Sequence, residues 1–269
     1  WYNSTTGNLR VQGIGLESTV SQTPITTARY FLAGAGSSTA ALVFGGDASP
    51  PITGATEEFN GSAWTNGGSL TTARNGLGGA GTQTAALGAG GYKTSTGSAN
   101  ESEEYNGSSW TEGNNLGTAR YRLAGLGTQT AATVVGGKTG VGPSPGPVQS
   151  AVENYDGTSW TSGTALNTAR QLAGSAGINT AALVCGGGAT PVPAGTTNTA
   201  NSEEWNGTSW TEGNNLSTAT RAFAGQNGLQ TAAVMMGGDA SGNTTAIQTY
   251  NGTSWSTSPA TLTTTRNGG

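Results

Sequence analysis

Short apolar stretches alternate with polar, Gly-rich turns along the whole chain, and the alternation repeats. One unit reads clearly from Arg74. A Gly-rich strand follows that Arg, and Thr82-Gln83-Thr84 turns the chain. Ala85 to Ala89 is a short apolar strand ending at Gly90-Gly91, and a loop then runs to Asn100. Ser102 to Tyr105 is a third strand, Asn106-Gly107 a two-residue turn, and Ser109 to Thr111 a fourth strand. The Asn-Gly pair predicts a hairpin, because a type I′ turn needs positive φ at both central positions. The pair recurs at Asn60, Asn106, Asn206 and Asn251, with Asp156-Gly157 as the variant.

Three markers step together along the chain. Trp64, Trp110, Trp160, Trp210 and Trp255 are 46, 50, 50 and 45 residues apart. Gly-Gly pairs begin at 45, 90, 136, 186 and 237. An Arg recurs at Arg29, Arg74, Arg120, Arg170, Arg221 and Arg266, with a mean spacing of about 47. Four short strands per unit of this length predict an all-β fold of four-stranded antiparallel propeller blades. The units run 29–73, 74–119, 120–169, 170–220 and 221–255. Residues 1–28 are N-terminal strands and 256–269 enter the next blade. Equivalent segments precede Arg29 and Arg266, so we expect a sixth blade split between the chain ends, with five blades as the alternative.

Composition changes the picture in one respect. Gly is 47 of 269 residues, charged residues are 9% and hydrophobic residues 33%. That balance resembles low-complexity disorder. Seven Trp and seven Tyr oppose it, because they need burial. Stacked blades supply that burial, and Gly lets inner strands crowd the axis. Gly and Thr are poor helix formers, which excludes a helical protein. The chain opens at Trp1 rather than Met, which we read as a processed or partial chain.

The order Arg, strand, strand ending in Gly-Gly, variable loop, strand ending in Tyr, turn, Trp resembles the kelch repeat over residues 29–255. The Gln-Thr-Ala-Ala idiom at Gln83, Gln129 and Gln230 is similar to kelch-like structural proteins of tailed bacteriophages, especially marine ones. The opening Trp1 to Val11 resembles a hairpin of phage tail-fibre proteins. The resemblance implies a virion or extracellular location.

Candidate chemistry is sparse. There is no His, which removes the usual general base and metal ligand. Copper chemistry of the galactose-oxidase kind needs His, and sialidase chemistry needs clustered Arg. The lone Cys185 reads as a buried apolar residue. Paired carboxylates at Glu57-Glu58, Glu103-Glu104 and Glu203-Glu204 invite a hydrolase reading. They recur with the repeat, so we read them, with the Arg residues, as scaffold. We therefore expect no enzyme activity, no metal and no cofactor.

The formal charge of −4 argues against a nucleic-acid partner. No apolar run approaches the ~20 residues of a membrane span, so we expect no membrane insertion. The loop after Gly-Gly varies most in length and carries most Pro residues. Function commonly resides on such loops. The ligand-binding candidates are Asp47, Tyr92, Lys93, Lys138 and Asp239. We expect a non-enzymatic adhesion module, a phage tail fibre or appendage, that binds a host-surface glycan or protein beside other virion or filament proteins. A homo-oligomer is compatible with that role. The alternative is a purely structural or decoration protein.

Overall fold

The computed structural model describes residues 23–49, 51–141, 144–189 and 197–268. The first sheet is β1 (Ala33–Gly36), β2 (Ala41–Phe44), β3 (Thr56–Phe59) and β4 (Trp64–Gly67). The second begins with β5 (Gly78–Thr82) and β6 (Ala85–Ala89). A small hairpin follows, β7 (Tyr92–Lys93) with β8 (Gly97–Ser98), before β9 (Ser102–Tyr105) and β10 (Trp110–Glu112) complete the sheet. The third opens with β11 (Ala124–Thr128) and β12 (Ala131–Val135). The longer hairpin β13 (Lys138–Val141) and β14 (Ser144–Val148) interrupts it before β15 (Val152–Tyr155) and β16 (Trp160–Ser162). The fourth is β17 (Gly174–Ile178), β18 (Ala181–Cys185), β19 (Ser202–Trp205) and β20 (Trp210–Glu212). The fifth is β21 (Gly225–Leu229), β22 (Ala232–Met236), β23 (Ile247–Tyr250) and β24 (Trp255–Thr257).

Each sheet is antiparallel throughout, and the described residues contain no helix. The first strands β1, β5, β11, β17 and β21 pack in succession around an axis. The fold is a β-propeller of five four-stranded blades. Gly on these strands is required by close approach. A Cβ on Gly79 would lie 2.6 Å from the Gly34 carbonyl oxygen, and one on Gly125 would lie 2.6 Å from that of Gly79.

A closed circuit of backbone hydrogen bonds surrounds the axis. Gly76 N donates to Phe31 O, Arg122 N to Gly76 O, Leu172 N to Arg122 O, and Ala222 N to Leu172 O. Gly268 N donates to Ala222 O at 2.8 Å, and Phe31 N donates back to Gly268 O. All six residues are left-handed, with φ between 50° and 64°. Four of them carry side chains, which at this φ costs roughly 1–2 kcal/mol each. The circuit offsets that cost by satisfying twelve backbone groups.

The circuit has six places for five blades. Gly268 holds the sixth, between blades five and one. The segments before Arg29 and Arg266 therefore do not compete. Ile25 packs on Ala41, Val43, Phe59 and Trp64 of blade one, whereas Leu262 packs on Val234, Met236 and Ile247 of blade five. The remaining strands of the expected split blade fall on residues 1–22, which lie outside the described residues.

Ile25, Leu70, Leu116, Leu166, Leu216 and Leu262 occupy equivalent buried positions. Leu70, for example, joins Leu42 and Phe44 of blade one to Leu77, Tyr105 and Trp110 of blade two. Each such side chain contributes about 1.5–3 kcal/mol by burial. The cross-strand aromatic pairs are equally regular. Ring centroids of Phe59–Trp64, Tyr105–Trp110, Tyr155–Trp160, Trp205–Trp210 and Tyr250–Trp255 lie 4.9–5.3 Å apart.

The expected two-residue type I′ turn is not what forms. The strands pair Phe59 with Trp64, leaving a four-residue loop. Only Gly61 has positive φ, and Asn60 Oδ1 accepts from the backbone N–H groups of Ser62 and Ala63. The Asn side chain does the turning by itself hydrogen-bonding the backbone.

Buried charge ties the blades together. Arg29, Arg74, Arg120 and Arg170 face Glu57, Glu103, Glu153 and Glu203 at 2.6–3.0 Å. Arg120 also donates to Gly136 O and Ala151 O. The second carboxylate oxygen accepts a backbone N–H from the linker that leads into the blade: Thr26, Thr71, Gly117 and Asn167. The second Glu of the pair reaches the next blade. Glu58 accepts the Tyr105 hydroxyl, Glu104 that of Tyr155 and Glu204 that of Tyr250. Burial and the Glu58 hydrogen bond push the Tyr105 phenol up to about 12.

Arg221 does not take the repeat position expected of it. Thr220 sits there, 1% exposed, and Gln248 replaces the Glu. Gln248 Nε2 donates to Thr220 Oγ1, and its Oε1 accepts from Thr218 N. The neutral pair fills the slot without charge, so Arg221 is displaced by one residue toward the loop face.

This native substitution predicts a rescue. Arg120→Thr leaves Glu153 buried and unpaired, and should cost about 3–5 kcal/mol. Adding Glu153→Gln recreates the fifth blade's pair and should recover at least about 1 kcal/mol. Urea unfolding midpoints measure both. A double variant no more stable than the single one would show that the stranded charge is not the cause.

Candidate functional site

The Gly-Gly pairs build the loop face. In each blade both Gly residues have positive φ, from 60° to 113°, and they fold the chain back at the end of the second strand. The residue after them then bridges the residue following the Arg position. The pairs are Tyr30 with Asp47, Asn75 with Tyr92, Tyr121 with Lys138, Gln171 with Gly188, and Arg221 with Asp239. Backbone hydrogen bonds run both ways, as between Tyr121 and Lys138 at 3.0 and 2.9 Å. The scaffold is the same at each pair and the side chains differ.

Asp47, Tyr92, Lys138 and Asp239 therefore occupy one equivalent position in four blades. Lys93 is one residue beyond, on β7, and pairs with Glu101. Tyr30 donates its hydroxyl to Asp47 Oδ2 at 3.0 Å, and that hydrogen bond pushes the phenol up. Arg221 donates from Nε and Nη2 to Asp239 Oδ2 at 3.0 and 2.7 Å. Arg221 and the Gly242 N–H together hold the Asp239 carboxyl below its usual range.

Blades two to four are different. The Tyr92 and Tyr121 rings lie 5.2 Å apart. Lys138 Nζ stands 5.0 Å from the Tyr121 centroid, and the residue is only 6% exposed. Arg122 places its guanidinium 5.0 Å from Phe31 and 5.7 Å from Tyr121. Arg122 Nη1 donates to Gln171 Oε1 at 3.5 Å. Gln171 is 1% exposed, and its Nε2 is buried with no acceptor. No carboxylate of the described residues pairs with Lys138 or Arg122. Burial, reinforced by Arg122, lowers the Lys138 ammonium from 10.5 to about 8.

Sequence reasoning found Lys138 through its place after Gly-Gly. It missed Arg122, Tyr121 and Gln171. The available signal was that Arg122 stands two residues past Arg120, outside the repeat Arg series. Arg122 also lines one end of an axial cavity of about 260 Å³ that follows the first strands.

The other chemistry-bearing side chains that the sequence singled out lie within the scaffold. Among the described residues, no three His, Cys, Asp or Glu side chains are grouped to hold a metal. The paired carboxylates are taken up by Arg, Tyr and backbone N–H groups, as described above. Cys185 is fully buried, and burial pushes its thiol up.

No protein-family description matches the chain, and no curated protein matches its sequence. Solved structures do share the fold. One, described as the structure of YjhT, matches with a TM-score of 0.73 and 13% identity, covering 91% of this chain and 87% of that one. At that identity the likeness is one of fold alone.

Lys138 carries a stability cost that its removal should reveal. Below pH 8 the side chain is protonated folded and unfolded, so the desolvation penalty is present in full. Between pH 8 and 10.5 the folded protein releases the proton first, and the penalty fades. Lys138→Met should therefore stabilise the protein by about 1–2 kcal/mol at pH 7 and by little at pH 10.5. Thermal melts at the two pH values test this, and a destabilised variant at pH 7 would contradict it.

Proposed function

We propose that the protein is a non-catalytic binding module of a virion, a component of a tail fibre or appendage, which presents its loop face to a host-surface glycan or protein. One observation carries this reading: side chains vary from blade to blade at the position after Gly-Gly, while the lattice beneath them stays nearly constant. A propeller that only fills space has no need of a buried ammonium, an unpaired guanidinium and an unsatisfied amide on one face. The kelch-like order of the repeat and its phage-like Gln-Thr-Ala-Ala idiom support the virion setting.

A second reading, a structural or decoration protein, draws on the opposite end of the blades. There Ile178 and Leu229, at the ends of β17 and β21, are 46% and 64% exposed. Apolar side chains of this kind suit contacts made by the scaffold.

The two readings separate on one replacement. Residues 139–148 can be exchanged for the fifth blade's short connection, 240–243, because both link the same two backbone positions. Gln149 N donates to Gly137 O, as Thr244 N does to Gly238 O. Binding to host cells or to a glycan array should fall at least tenfold, with the melting temperature within a few degrees. Unchanged binding and infectivity would favour the structural reading.

A further inference from the structure

We propose that Arg122 and Lys138 form a carboxylate-binding centre for an acidic saccharide, with Gln171 and Tyr92 serving the neutral hydroxyls around it. The proposal rests on the binding-module reading above and gives its ligand a chemical class.

Both cations lack a carboxylate partner in a chain that elsewhere pairs its charges closely. Arg29, Arg74, Arg120, Arg170, Arg221 and Lys93 all have one. Lys138 is more than nine-tenths buried, with the Tyr121 ring beside its ammonium. Gln171, buried further still, keeps an unused amide N–H next to Arg122. Two cations of the third blade, Arg122 and Lys138, therefore stand without an anionic partner beside an unused amide N–H of the fourth, that of Gln171. An anion supplies what they lack, and Arg122 is positioned to take it, half-buried and oriented by Gln171.

Surroundings narrow the class. Asp47 and Asp239 stand in the equivalent positions of blades one and five, and both would repel an extended polyanion. An acidic peptide or nucleic acid brings many charges and fits poorly. A single carboxylate among hydroxyls fits well, because the tyrosine rings offer apolar faces to sugar C–H groups and the amide offers a hydrogen-bond donor. Burial supports the same view, since a Lys ammonium disfavoured by its site is stabilised when an anion arrives.

The test uses the full chain and trigalacturonate, titrated calorimetrically at pH 7, against the same trimer fully methyl-esterified. The acid should bind, and the ester should bind at least tenfold more weakly. Arg122→Gln and Lys138→Met should each weaken the acid at least tenfold, with unfolding midpoints showing that both variants are folded. No binding of the acid, equal binding of the ester, or wild-type affinity in both variants would overturn the proposal. Preference for a hexaglutamate peptide over the trimer would overturn its ligand class. Binding of neutral glycans that is lost on replacing 139–148 would leave the binding-module reading standing while this centre falls.

Discussion

The buried carboxylate of Glu57, Glu103, Glu153 and Glu203 is the contact on which the rest of the propeller depends. One oxygen takes the Arg that opens its blade, and the other takes a backbone N–H of the linker leading into it, which for Glu103, Glu153 and Glu203 comes from the preceding blade. A single side chain thus fixes where a blade begins and how the previous one is joined to it. Fully desolvated ion pairs gain little over an apolar filling, but losing one partner is costly. Their contribution is accordingly to position rather than to net stability, and the fifth blade bears this out. There Gln248 accepts the linker N–H one residue farther along, that of Thr218, and donates to Thr220 without charge, and the blade keeps its form.

Position matters because the axis tolerates so little error. The six left-handed residues around it share no side-chain type: Phe31, Gly76, Arg122, Leu172, Ala222 and Gly268. Their conformation is imposed by neighbours on either side of the circuit. The Arg position lies two residues upstream of each, and Ala222 is left-handed with Thr220 in that position, so the slot keeps its geometry with or without the charge. The inner Gly residues then allow backbone against backbone, and the aromatic pairs fill the wider space farther out.

This division explains what could be read from the sequence. Trp64, Trp110, Trp160, Trp210 and Trp255 recur because each occupies the same cross-strand pair, and the Gly-Gly pairs recur because each needs two positive φ values. Such features leave a residue-type signature. The circuit leaves none, since backbone atoms alone make it. Arg221 misled because a displaced Arg one residue from the slot looks like a conserved period, while Thr220 and Gln248 look like ordinary strand residues. Asn60 and its equivalents named the right hairpin but the wrong turn, because the Asn side chain can bond the backbone where a type I′ turn would have used its φ.

Asp47, Tyr92, Lys138 and Asp239 were legible because each follows a Gly-Gly pair directly. Arg122 was not, because its role arises from the left-handed circuit, which carries its guanidinium toward Phe31 and Gln171 of other blades. The circuit therefore does two things. It closes the axis with backbone bonds, and, at a conformational cost for any residue but Gly, it accepts side chains as different as those of Phe31, Arg122, Leu172 and Ala222. A scaffold that constrains the backbone but not the side chain is one on which charge can be placed without loss of fold. Lys138 and Arg122 show the cost of that freedom being accepted at one point of the ring, while Arg221–Asp239 and Tyr30–Asp47 show it avoided at others. Among the described residues, placing uncompensated cations at one point of the loop face and paired ones at others gives a nearly symmetric scaffold one distinct direction.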